Sequence, residues 1–173
     1  MDPSAQEIAT ATTNAAAAEL DSASKKIVHC LKQLTDEQVW WRPAPSMNSI
    51  GNLILHLCGN VRQWIIAGIG GAEDTRDRPK EFAERGPIAR TELLRKLETT
   101  IAEASEKLTE ASPADLVENR RIQGFDVTGI SAIVQSVTHF QGHVQEIIHL
   151  TRSQLGDDYD FDFVPATPEQ GAP

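Results

Sequence analysis

Apolar residues recur along this chain at alternating spacings of three and four, the period of one face of an α-helix, in runs separated by prolines and glycines. Within residues 13–34, Ala17, Leu20, Ser24, Ile27, Leu31 and Leu34 form one such stripe and predict a first long helix. Thr35 followed by Gln38 has the form of a capping box and predicts a short turn through Trp40 and Trp41, closed by Pro43 and Pro45. Asn48 or Ser49 can then cap a second long helix. Its apolar face is Ile50, Leu53, Ile54, Leu57, Val61, Trp64 and Ile65, and Gly68, Gly70 and Gly71 end it.

The next stretch, AEDTRDRPKEFAERGP, is charged and carries two prolines, so it reads as a long connection and not as a core element. At roughly 20 residues it exceeds the two to eight usual between bundle helices and is long enough to cross from one end of a bundle to the other. A third helix follows Pro87, with Leu94, Leu97, Ile101, Ala104 and Leu108 in phase to about Glu110. Ser112, Pro113 and Asp115 supply the cap, first-turn proline and acid of another short turn, and RIQGFDV, with Gly124 at its bend, has the form of a small hairpin. Thr128 can cap the last long helix, in which Ile130, Ile133, Val134, Val137, Val144, Ile148 and Leu155 recur until Gly156 stops it. The pattern predicts an all-α fold, a four-helix bundle with a long crossover connection between helices two and three, which would then run parallel. Residues 1–155 make that domain, with the first dozen frayed, and residues 156–173 make an acidic, proline-containing tail attached loosely.

Composition narrows the function classes. With 173 residues and 40% of them hydrophobic, the chain can bury one sizeable core. Sixteen basic against 25 acidic residues give a formal charge of -9, so a nucleic-acid backbone or an anionic membrane surface is repelled on average. The N-terminus lacks the basic start and apolar run of a secretory signal, and no stretch approaches 18 apolar residues. A cytoplasmic protein, monomeric or a small homo-oligomer, is therefore expected. Cys30 and Cys58 would be reduced there and act as small hydrophobes in apolar helical stretches.

Candidate chemistry lies in the histidines, at positions 29, 56, 139, 143 and 149. In HFQGH, His139 and His143 sit four apart, so both imidazoles leave the same face of one helix and can share a metal ion. Measured at 100° per residue from Ile130, both lie well off the apolar stripe, which a solvated helix face would explain equally well. His56 stands in the apolar run LILHLCGN on the flank of the second helix, with Asn60 four residues on; its plain alternative is a hydrogen-bonded core histidine. His29 projects away from the first stripe and reads as a surface residue, whereas His149 lies too far around the helix to join His139 and His143 and reads as structural.

Together, SIGNLILHLCGNVRQWI and HFQGHVQEI resemble the two signature regions of the DinB/YfiT-like superfamily, whose members are regarded as metalloenzymes. The resemblance spans about residues 15–155. It implies a four-helix bundle with a long crossover and a metal held by one histidine of the second helix and a histidine pair of the last, which fall here on His56, His139 and His143. Many members carry a glutamine three residues after the second histidine of the pair, where this chain has Glu146. A carboxylate at that place can orient a ligand imidazole or handle protons, so Glu146 and Asn60 are the candidates for a supporting layer.

Three neutral imidazoles leave a divalent transition metal with an open position, the pattern of catalytic and not of structural zinc. Zinc is the first expectation and nickel the second. The resemblance further implies a transferase or isomerase that uses a low-molecular-weight thiol such as bacillithiol or mycothiol. A metal-dependent hydrolase and a non-catalytic, metal-binding or oligomerising bundle are the competing readings.

Overall fold

The computed structural model describes residues 3–162 and is mostly helical. Helix α1 spans Ala5–Gln33, α2 Asp36–Trp40 and α3 Ile50–Val61, which continues through a π-helical turn at Arg62–Ala67. After them come α4 (Arg78–Ala83), α5 (Arg90–Glu110), α6 (Pro113–Val117), an antiparallel hairpin of β1 (Asn119–Ile122) and β2 (Phe125–Thr128), and α7 (Gly129–Leu155). The four long helices pack in pairs, α1 on α5 and α7 and α3 on the same two. Among the described residues no helix is long and apolar enough to cross a membrane.

Local chemistry sets these boundaries. Ser49 and Thr35 each close a capping box at the start of α3 and α2, Ser112 does so for α6, and the Thr128 hydroxyl accepts from the Ser131 N–H to open α7. One seam then buries Leu20 and Ile27 of α1, Leu53, Ile54 and Leu57 of α3, Leu97 and Ala104 of α5, and Phe140, Val144 and Ile147 of α7. A large apolar side chain fully buried in such a seam contributes about 1.5–3 kcal/mol relative to exposure.

Four expectations are corrected. Residues 5–12 are helical, because Ser4 and Glu7 make a capping box and Ala9 and Thr13 are buried. On α7 the buried face is Ile133, Ser136, Phe140, Val144, Ile147 and Thr151, whereas Ile130 and Val134 are exposed, so a reference angle taken from Ile130 points the wrong way.

The tail is not loose where it begins. Tyr159 is buried, the Gln33 side chain bonds both the N–H and the carbonyl of Asp160, and that carbonyl lies 2.6 Å from a ring nitrogen of His29. His29 is therefore half-buried and not free on the surface; the tail from residue 163 lies outside the described residues.

The fourth correction concerns the charged connection, which carries α4 and is stapled to the core. Asp77 caps α4 on the Lys80 N–H, and a proline occupies its first turn. Asn52, fully buried in α3, donates to the carbonyls of Glu81 and Glu84 at 2.8 and 3.0 Å. Arg42 donates to Asn52 Oδ1 at 2.6 Å and to the Glu84 carbonyl at 2.9 Å, and the Trp40 indole donates to the Ile88 carbonyl at 2.8 Å. Every polar atom on this list ends on a partner, which is what allows such a polar segment to lie against α3.

Candidate metal centre

His56 stands in the middle of α3, 4% exposed, because its neighbours Leu53, Ile54 and Leu57 turn that helix into the core. His139 and His143 belong to α7. Taken from the buried Ile133 at 100° per residue, they sit ~120° and ~80° to one side, on the edge of the core face and not opposite it. That edge faces α3. The ring centroids are 5.0 Å apart for His56 and His139, 5.2 Å for His56 and His143, and 4.6 Å for His139 and His143. One nitrogen from each ring lies within 4.8 Å of the other two. His56 Nε2 and His139 Nε2 are 2.9 Å apart, a contact that in the absence of a cation requires one of them to carry the proton.

Behind the imidazoles stand two carboxylates. Glu81 Oε2 accepts from His56 Nδ1 at 2.9 Å, and Glu146 Oε2 from His143 Nδ1 at 2.8 Å, which puts the lone pair of each ring on Nε2. Arg76 grips Glu81 with two bonds, Nε to Oε1 at 2.7 Å and Nη2 to Oε2 at 2.9 Å, and its Nη1 donates to Gln63 Oε1 at 2.9 Å. The 3.1 Å approach of Arg76 Nη2 to His56 Nδ1 is two donors converging on one carboxylate oxygen, not a bond between them. Phe82 covers a face of His56 with centroids 4.7 Å apart, and the Arg78 guanidinium lies over Phe82 at 5.0 Å.

Charge in this cluster is arranged to keep the imidazoles available. Burial is the first cause that lowers His139 from its ordinary value to about 4, and the neighbouring charges of His143, His56, Arg76 and Arg78 add to it, so His139 is neutral at pH 7. For Glu81, burial works to raise the carboxyl, but the hydrogen bonds from Arg76 and His56 outweigh it and hold the group below its usual range. Three imidazoles, two of them backed by carboxylates, are a donor set that could hold a borderline divalent cation.

Of the residues singled out in the sequence, the fold brings His56, His139, His143 and Glu146 together. Asn60 is near but does not join them: its Oδ1 accepts from Ser136 at 3.3 Å and it touches no imidazole through a hydrogen bond. His29 is occupied by Asp160, and His149 is exposed and among the described residues makes no side-chain hydrogen bond. Sequence reasoning missed Arg76, Glu81 and Phe82, all in the charged connection, and also Gly59. A Cβ on Gly59 would stand 1.9 Å from Glu81 Oε1 and 2.9 Å from Arg76 Nε, so glycine is what lets the ion pair lie on the surface of α3. The only readable signal was Asp77 before Arg78–Pro79, a helix start hidden in a loop.

Residues 7–167 match the family model described as "Protein of unknown function (DUF1572)". Among solved structures, a conserved protein from Enterococcus faecalis superposes with a TM-score of 0.70 at 19% identity, covering 83% of this chain and 97% of that one. A DinB-like protein from Bacillus cereus superposes with a TM-score of 0.63 at 19% identity, covering 79% of this chain and 85% of that one. No curated protein matches the chain. The DinB-like fold that the resemblance to the DinB/YfiT-like superfamily implies is borne out.

Proposed function

The chain belongs to the DUF1572 family and has the DinB-like fold, and on that footing we propose that it binds one divalent transition metal through His56, His139 and His143. The observation that carries the reading is the convergence of three imidazole nitrogens within 4.8 Å of one another, with Glu81 and Glu146 on the far nitrogens of two. Zinc is the first choice and nickel the second, since imidazole suits both. The bundle is read as four-helical, with residues 68–89 as a crossover that also carries half of the supporting layer.

We read the protein as a cytoplasmic enzyme, a metal-dependent transferase acting on a small molecule with a low-molecular-weight thiol, as the superfamily resemblance implies. A bound ion would supply Lewis acidity at a position that the protein leaves open. Glu81 fixes the tautomer and rotation of His56, and Glu146 does the same for His143. Phe82 keeps water from one face of His56, while His139 and His143 are only half-buried and leave that side accessible. Glu146, 41% exposed, is placed to exchange a proton between His143 and solvent.

The test is elemental analysis of protein purified without a metal-affinity step, followed by a thiol-transfer screen. About one zinc or nickel per chain is expected, lost on changing His56, His139 or His143 to Ala and kept in His29→Ala and His149→Ala. Full occupancy in His139→Ala would remove the site. Stoichiometric metal with hydrolysis and no thiol transfer would return the hydrolase reading, and metal without turnover the non-catalytic one.

A further inference from the structure

Resting on the metal site proposed above, we infer that Arg78 binds a carboxylate of the substrate, so the substrate class is a carboxylic acid whose reacting atom lies a few bonds from that group. The two arginines of DTRDR have opposite fates. The Arg76 side chain is 2% exposed and gives three of its N–H groups to Glu81 and Gln63, so it is withdrawn from a ligand arriving from solvent. Arg78, two residues on, is exposed, and among the described residues it forms no ion pair and no side-chain hydrogen bond.

Its place is nonetheless defined. The guanidinium lies 5.0 Å over the Phe82 ring, which itself packs 4.7 Å from His56, so the cation stands less than 10 Å from a proposed ligand. A guanidinium stacked on a ring keeps its edge N–H groups free for in-plane, two-pronged bonding to a planar acid. A dianionic phosphate would call for a second free cation, and the other basic groups of this segment have partners: Arg76 pairs with Glu81, Lys80 with Asp77, and Arg85 donates to the carbonyls of Phe82 and Glu84. In a chain of net charge -9, with Glu146 beside His143, a lone unpaired arginine next to the imidazoles selects one negative charge and places it.

The experiment uses two probes of equal shape, the monohydroxamate of succinic acid and the same hydroxamate with its carboxylate turned into a primary amide. Both are titrated calorimetrically into the zinc-loaded full chain, with zinc content measured in every sample. The acid is expected to bind about tenfold tighter than the amide to the unaltered protein. Arg78→Gln should abolish that preference at unchanged zinc content and unchanged affinity for the amide, and Arg78→Lys should keep only part of it. A preference that survives in Arg78→Gln, or none in the unaltered protein, overturns the inference while leaving the metal site standing. A chain that takes up no zinc overturns both, and the elemental measurement tells the two failures apart.

Discussion

The centre has two sides that differ in how firmly each imidazole is held. On the α3 side, His56 is buried, and its carboxylate partner Glu81 is 10% exposed, locked by the bidentate Arg76 and seated over Gly59. On the α7 side, the His143 side chain is 24% exposed and the Glu146 side chain 41% exposed, and among the described residues no Lys or Arg pairs with Glu146. Each pair has nearly the same hydrogen-bond length, 2.9 and 2.8 Å, so distance alone would rank them equal. Burial separates them: a charge withdrawn from water interacts more strongly with its partners and is more costly to strand than one that water still screens. The α3 side is thus built for rigidity and the α7 side for adjustment and exchange.

Removing Arg76 should break this contrast most. Arg76→Ala leaves the Glu81 carboxylate buried without its cation, a defect worth about 3–5 kcal/mol in comparable buried pairs. Chemical denaturation of metal-free protein should report that loss, and a change under about 1 kcal/mol would mean that water reaches Glu81 and the two sides are alike.

Next in size, Gly59→Ala drives a methyl group into Glu81 and should weaken metal binding by roughly 10- to 100-fold, as lost support of a ligand typically does. The control is Gly142→Ala on α7, where nothing lies within 4 Å of the added carbon. There metal affinity should hold, and helix propensity should add up to about 1 kcal/mol of stability. Equal affinities in the two variants would deny Gly59 its role.

Glu146→Gln should cost about tenfold in metal affinity, by competition with a chelator, because an amide still accepts from His143 but carries no charge. If turnover on an identified substrate fell by about a hundredfold while affinity held, proton exchange would be the main role of Glu146. No change in either would return it to a solvated face.

The last effect is on pH dependence. His139 takes up a proton near 6.5 in the unfolded chain but only near 4 when folded, so its contribution to stability is complete above pH 6.5 and is lost as pH falls towards 4. Thermal melts of metal-free protein between pH 7.5 and 4.5 should show this decline, and His139→Gln should flatten it. An unaltered slope in the variant would assign the decline to other groups.

Much of the fold was legible because its signals are local. Ser49, Thr35, Ser112 and Thr128 announce helix starts within three residues, and the hairpin follows from Gly124 in RIQGFDV. His139 and His143 were readable as a pair for the same reason. The Arg76–Glu81 couple was not, because two charges that neutralise each other look in sequence like two charges in solvent; only the chain path over Gly59 buries them. Nor was the core face of α7: Ile130 and Val134 are apolar but exposed, while Ser136 and Thr151 are polar and buried, which rotates any stripe drawn from hydropathy alone.

The chain distances across the centre carry a consequence for the order in which it forms. His56 meets Glu81 across 25 residues and His139 across 83. Closing the longer loop costs about 1 kcal/mol more chain entropy, and contacts of short separation form early in folding. Chain entropy therefore favours closing the α3 half first, with the docking of α7 completing the proposed ligand set. On that order the proposed metal capture would report the final act of folding, and a chain stalled before it would keep a formed half-site with nothing to hold.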